Sequence, residues 1–109
     1  MFKLNPAPTF VAPVPLSVPG LPEPVNVTVT YRYKNKAALS AWLNAMTGKD
    51  NVALLHEVID GWAGISDAAG ADVPYSLTAL TDLLANYSAA HNELFHAYLR
   101  ELTEAKTKN

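Results

Sequence analysis

Three histidines, ten acidic side chains and a few serines are the groups in this sequence that could bind a metal or move a proton. Their spacing decides against both. His91 and His96 stand five residues apart, which on a helix puts them ~140° from one another and denies them a shared ligand face. His56 has no partner nearby in the chain. The run Asp67-Ala-Ala-Gly-Ala-Asp72 has the outline of a calcium loop but lacks its alternating oxygen ligands and closing glutamate. Ser40, Ser66, Ser76 and Ser88 sit in no strand-to-helix elbow that would expose a nucleophile. Glu57 and Asp60 are i,i+3 neighbours, the ordinary spacing of a solvated helix face. Gly61 and Gly64 form a GxxG step without the basic surroundings of a nucleic-acid clamp and without the lysine of a phosphate loop. With no cysteine, disulfides, thiolate zinc sites, iron–sulfur clusters and a cysteine nucleophile are all excluded. The expectation is a protein with no catalytic residue, metal site or cofactor.

The elements that position these groups divide the 109 residues into two halves. From Val25 to Lys34 the alternation is unbroken, with Val25, Val27, Val29, Tyr31 and Tyr33 on one face and polar residues on the other, as in a half-buried strand. Upstream, Phe10, Ala12, Val14, Leu16 and Val18 alternate around Pro13 and Pro15. Two prolines two residues apart blank the same edge of a strand, so this stretch suits an edge. Pro19-Gly20 has the residue types of a type II turn. A hairpin of about 9–18 with 25–34 follows; an extended, polyproline-like arm over 5–24 is the alternative.

Beyond residue 34 the period becomes helical. Asn35 caps a helix of about 36–47 with Leu39, Trp42, Leu43 and Met46 inward. Asp50 caps one of about 51–60 with Val52, Leu55, Val58, Ile59 and Trp62 in a stripe ended by Gly61. Residues 63–75 form a loop. Ser76 caps a helix of about 77–87, striped by Leu77, Leu80, Leu83, Leu84 and Tyr87. Ser88 caps the last, about 89–105, with Leu94, Phe95, Tyr98, Leu99 and Leu102 inward and 106–109 a frayed tail. The fold class is α+β in a single domain, 1–109: a β-hairpin or arm over 1–34 and a helical body over 35–105. Trp62 either plugs the junction between two helices or lines a groove for a partner.

Charge is partitioned along the same boundary. Residues 1–49 carry Lys3, Arg32, Lys34, Lys36 and Lys49 against Glu23, while 50–99 carry seven carboxylates and no lysine or arginine. Seven of the eight prolines lie in the first 24 residues, so proline marks the same divide. A general nucleic-acid binder needs a basic stripe on a basic domain, and none is present. No apolar run approaches the ~20 residues of a membrane span, and the start has no apolar signal-peptide stretch. The expected location is the cytoplasm.

A longer pattern runs through Leu54-Leu-His-Glu-Val-Ile-Asp-Gly-Trp-Ala-Gly-Ile65, the loop, Val73-Pro-Tyr-Ser76, Leu84-Ala-Asn-Tyr-Ser88 and Phe95-His-Ala-Tyr98. It resembles the tail assembly chaperones of long-tailed bacteriophages, especially those with flexible, non-contractile tails. Met1-Phe-Lys-Leu-Asn-Pro6, with the valine-rich strand after it, and the terminal Lys108-Asn109 are similar too. The resemblance implies a non-enzymatic protein of the host bacterial cytoplasm, absent from the mature virion. Its partner would be the tape measure protein, kept soluble and extended while the tube polymerises around it. Many such proteins occur in two lengths through a ribosomal frameshift, the longer form recruiting tail-tube protein, and this chain would correspond to the short form. A virion component of the tail or head–tail joint is the alternative, and an acidic mimic of nucleic acid is a more distant one.

Covering a long rod with repeated contacts calls for head-to-tail self-association, which needs two different complementary surfaces on each copy. Arg32, Lys34 and Lys36 at the basic strand end and Asp60, Asp67 and Asp72 of the acidic stretch are the candidates for a homo-oligomer contact.

Overall fold

A computed structural model describes residues 2–104. The frayed tail expected at 106–109, residue 105 of the last expected helix, and the terminal residues of the family resemblance lie outside them. Strands β1 (Thr9–Leu16) and β2 (Val25–Arg32) form the expected hairpin, pairing antiparallel in one register from Thr9 opposite Arg32 to Leu16 opposite Val25. The turn between them is as the sequence dictates. Leu21 donates its N–H to the Val18 carbonyl at 3.1 Å around Pro19-Gly20, with Gly20 at φ +89°, the positive value a type II turn requires. Tyr33 N–H bonds the Pro8 carbonyl at 2.8 Å, so even-numbered residues of β1 face β2 and Pro13 and Pro15 fall on the outer edge. β1 is indeed an edge strand.

Helices α1 (Lys36–Asn44), α2 (Asn51–Val58), α3 (Leu77–Asn86) and α4 (Ala90–Thr103) follow. Asn35, Asp50 and Ser76 cap the first three, each accepting the N–H three residues on at 2.8–3.0 Å. The fourth cap differs from expectation. Ala89, not Ser88, stands at the start of α4, with no side-chain bond, and Glu93 provides the favourable negative charge in the first turn. Helix α1 stops three residues short of 47 and tightens into a 3-10 turn, Ala45–Gly48, a common way to use terminal carbonyls.

The main correction concerns residues 59–63. The helix expected over 51–60 ends at Val58, and Ile59–Ala63 is a third strand, β3, antiparallel to β2. Val58 and Ile59 fit a helical stripe and a strand equally well over so few residues, so period alone could not separate the two. The second edge of β2 decides the matter, since β3 supplies partners for its backbone groups. Ile59 stays fully buried either way.

One face of the sheet carries α4. Ala12, Val14, Val29 and Tyr31 are fully buried there with Leu94 and Tyr98. The Phe10, Tyr31 and Tyr98 rings lie with centroids 5.0–5.9 Å apart, and Trp42 meets Phe95 and Tyr98 at 5.5 and 5.2 Å. The polar tips of Tyr31, Tyr98 and Trp42 each find a backbone carbonyl. Tyr31 donates to Leu94 and Tyr98 to Arg32, both at 2.8 Å, and Trp42 Nε1 donates to Leu54 at 3.1 Å. Burial pushes both tyrosine hydroxyls well above their ordinary titration range. Met46 and Leu77, expected on apolar stripes, are 37% and 49% exposed, Met46 in the 3-10 turn that follows α1 and Leu77 at the first turn of α3. Val25 and Tyr33, at the ends of the alternation, are exposed as well.

Tyr31→Phe tests this packing. It keeps the ring and removes one buried hydrogen bond, so stability should fall by about 1 kcal/mol. Thermal melting should drop by roughly 4–8 °C.

Candidate partner-binding surfaces

The basic strand end is built around Arg32, the last residue of β2. Its Nη1 points at the C-terminal end of α2, 3.1 Å from the Ile59 carbonyl and 3.3–3.4 Å from those of Glu57 and His56. A cation there satisfies carbonyls left without helical partners and complements the helix dipole. Its Nη2 meets Asp60 at 3.1 Å. Asp60 is reached because β3 is bulged: Thr30 pairs with Gly61 and Tyr31 with Ile59, leaving Asp60 as the extra residue. Lys34 and Lys49 both bond Glu57, at 2.9 and 2.7 Å, and these two cations hold its carboxyl below the usual range.

Of the six residues expected at a contact between copies, Arg32 and Asp60 therefore meet within one chain, each with about half its side chain exposed. Lys34 is also held internally, by Glu57. Lys36 and Asp72 are exposed and have no ion-pair partner among the described residues. Asp67 shapes its own loop, accepting the N–H groups of Ala69 and Ala71 at 2.9 and 3.0 Å. Gly70, at φ +85°, closes the same turn, and Ser66 pairs with Asp72 across it.

Trp62 sits in β3 opposite Val29, half-buried. Its Nε1 donates to the Val73 carbonyl at 2.8 Å and its ring meets Tyr75 edge-on at 4.9 Å. It thus anchors the 63–75 loop to the sheet. Its outer side also lines a groove of about 710 Å³ between that loop and α3, with Ile65, Leu83 and Tyr87 as apolar walls and Asp67 and Asp82 beside them. The expected junction of two helices is instead the junction of a strand and a loop, with Trp62 tying the two together. A second depression of about 600 Å³ runs between the start of α2 and α3, lined by Val52, Leu77, Thr81, Leu84 and Ala85. Sequence reading missed it. The signal was available: Leu77, Thr81, Leu84 and Ala85 follow helical spacing on a face the other leucines of α3 do not need.

The histidines find aromatic neighbours. His56 Nδ1 lies 2.7 Å from the Tyr75 hydroxyl, with the rings stacked at 5.9 Å. His91 stacks on Phe95 at 6.1 Å, and burial, with the nearby His96 charge, lowers its pKa. Among the described residues no cluster of His, Asp or Glu could hold a metal ion, and no helix is long and apolar enough to cross a membrane.

The Glu57 cluster makes a pH prediction. A carboxylate whose folded pKa is depressed adds stability that is full above its unfolded pKa and is lost as pH falls through the folded value. Glu57→Gln should therefore weaken the chain near neutrality and flatten its acid sensitivity, by less than about 1 kcal/mol for so exposed a group. Urea midpoints of the two chains should converge between about pH 6 and about pH 3.

A family model described as phage tail assembly chaperone matches residues 1–109, the whole chain. Comparison with curated proteins and with solved structures gives no match. The resemblance in the Leu54–Tyr98 pattern agrees with that finding, and the chain belongs to the phage tail assembly chaperone family.

Proposed function

We propose that this protein binds the tape measure protein of its phage in the host cytoplasm, keeps it soluble and extended, and is left out of the finished virion. The observation that carries the reading is the match of the whole chain to a family of tail assembly chaperones. The surface supports it. A rod of helices offers a repeated apolar stripe, and the depression between α2 and α3 offers a helix-sized apolar face in Val52, Leu77 and Leu84. Leu77 projects from it at 49% exposure without any packing duty. The role is non-enzymatic: the protein works by covering apolar surface reversibly. Recruitment of tail-tube subunits falls to a longer, frameshifted form carrying this chain as its body.

Coverage of a rod is repeated along its length, so copies associate head to tail. The charges left free for that contact are Lys36 on one side and Asp72 and the outer oxygen of Asp67 on the other. Arg32, Lys34 and Asp60 contribute their field while remaining paired within the chain.

Two measurements test this. Co-expression with the tape measure protein of the same genome should yield a soluble complex that co-purifies, and Leu77→Lys should cut recovery about tenfold, the size of one lost apolar anchor. An insoluble tape measure protein in the presence of this chain overturns the reading. In sedimentation, Lys36→Glu should weaken self-association, and Lys36→Glu mixed with Asp72→Lys should restore it; oligomers indifferent to these changes and to salt refute the charge contact.

A further inference from the structure

The segment ahead of β1 carries two large apolar side chains that the body does not cover: Phe2 is 96% exposed and Leu4 91%. Pro6 and Pro8 stiffen the stretch behind them, and the Tyr33–Pro8 hydrogen bond fixes its base at the end of the hairpin. The arm lies outside any helix or strand, with bends at Leu4, Asn5 and Pro8, and at about 3.1 Å per residue it can reach up to roughly 20 Å from Thr9 when straightened. It holds apolar surface in water with no return from its own chain.

The groove beside Trp62 has the opposite character. Its walls are Trp62, Ile65, Leu83 and Tyr87, and its rim carries Asp67 and Asp82. Asp82 is exposed and has no ion-pair partner among the described residues, and no lysine or arginine occurs anywhere from 50 to 99 to supply one. The arm brings what the groove lacks. Phe2 and Leu4 both stand clear of the body, and Lys3 lies between them. Apolar side chains match the walls and the ammonium matches the rim.

We propose that the Phe2–Leu4 arm of one copy docks in the Trp62 groove of a second copy of this chain. The proposal rests on the head-to-tail self-association described above and names its contact. Arm and groove are different surfaces, so each copy gives one and receives one, and the contact is heterologous and can repeat into an open chain of subunits. Lys36 and Asp72 then tune a contact whose main energy is apolar.

The test uses the absence of native cysteine. Leu4→Cys in one copy and Asn86→Cys, on the groove wall, in a second copy of different tagged mass are mixed and oxidised. A disulfide-linked heterodimer is expected, reduced at least tenfold in yield when the groove copy also carries Trp62→Ala. In parallel, sedimentation of a Phe2→Asp/Leu4→Asp chain should show monomers with an unchanged melting temperature, because neither side chain packs on the body. Oligomers of normal size from that variant overturn the arm contact and leave self-association standing. A wild-type chain that stays monomeric at every concentration overturns both. A doubly substituted Leu4→Cys/Asn86→Cys chain that closes only on itself places the arm in its own groove and also refutes the proposal.

Discussion

Helix and sheet in this protein are held by a reciprocal pair of hydrogen bonds. Tyr31 of β2 donates to the Leu94 carbonyl of α4, and Tyr98 of α4 donates to the Arg32 carbonyl of β2. The two rings lie 5.0 Å apart with Phe10 against both. Two buried hydroxyls would each be costly if unpaired, so the helix must sit at one height and one rotation on the sheet for both to be satisfied. Apolar burial alone would tolerate sliding along β1; these bonds do not. Glu93, one residue before Leu94, adds a third constraint from the same helix by accepting the Ser17 N–H at 2.9 Å just beyond β1.

From that fixed height the surroundings of Arg32 follow. Its carbonyl is held by Tyr98, so its side chain leaves β2 at a set place and closes the end of α2. Ending α2 there frees Ile59–Ala63 to pair with β2. The bulge at Asp60 then returns a carboxylate to the same guanidinium. Trp62 is thereby delivered to the position across from Val29 on the neighbouring strand, where its indole N–H reaches Val73 and ties down the loop that forms one wall of the groove. One arginine thus links a helix end, a strand and a surface feature. Charge at this spot serves the architecture, while Lys36 and Asp72 lie exposed and without an ion-pair partner among the described residues.

The legible part of the sequence was the part governed by local rules. The Val25–Arg32 alternation, the Pro19-Gly20 turn, the proline-blanked edge and the caps at Asn35, Asp50 and Ser76 all depend on a residue and its near neighbours. The third strand did not, because Ile59–Ala63 becomes a strand only through β2, some thirty residues upstream. Expecting a helix there also placed Asp60 among free acidic groups rather than beside Arg32. The Ser88 cap misled for a smaller reason: a serine before an apolar periodic run is a helix start by type, but a run of small residues, Ser88-Ala-Ala90, leaves the boundary free to shift by one. Of the surfaces, Trp62 was visible as a large aromatic between glycines. The α2–α3 depression was hidden because a leucine stripe in sequence does not say which leucines stay uncovered.

The two edges of the sheet limit how copies can meet. An open strand edge invites pairing through backbone hydrogen bonds, which any extended chain can supply and which therefore discriminates poorly. Pro13 and Pro15 remove two donors from the outer edge of β1, and their rings obstruct an approaching strand. At the other edge β3 has only five residues, one of them a bulge and one a glycine, too short and irregular for a stable added strand. Any contact with another chain is thus pushed onto side chains, where shape and charge can distinguish one partner from another. Val11 and Val25 are apolar and exposed on these strands, but the prolines beside them leave the outer edge of β1 poorly fitted to backbone pairing.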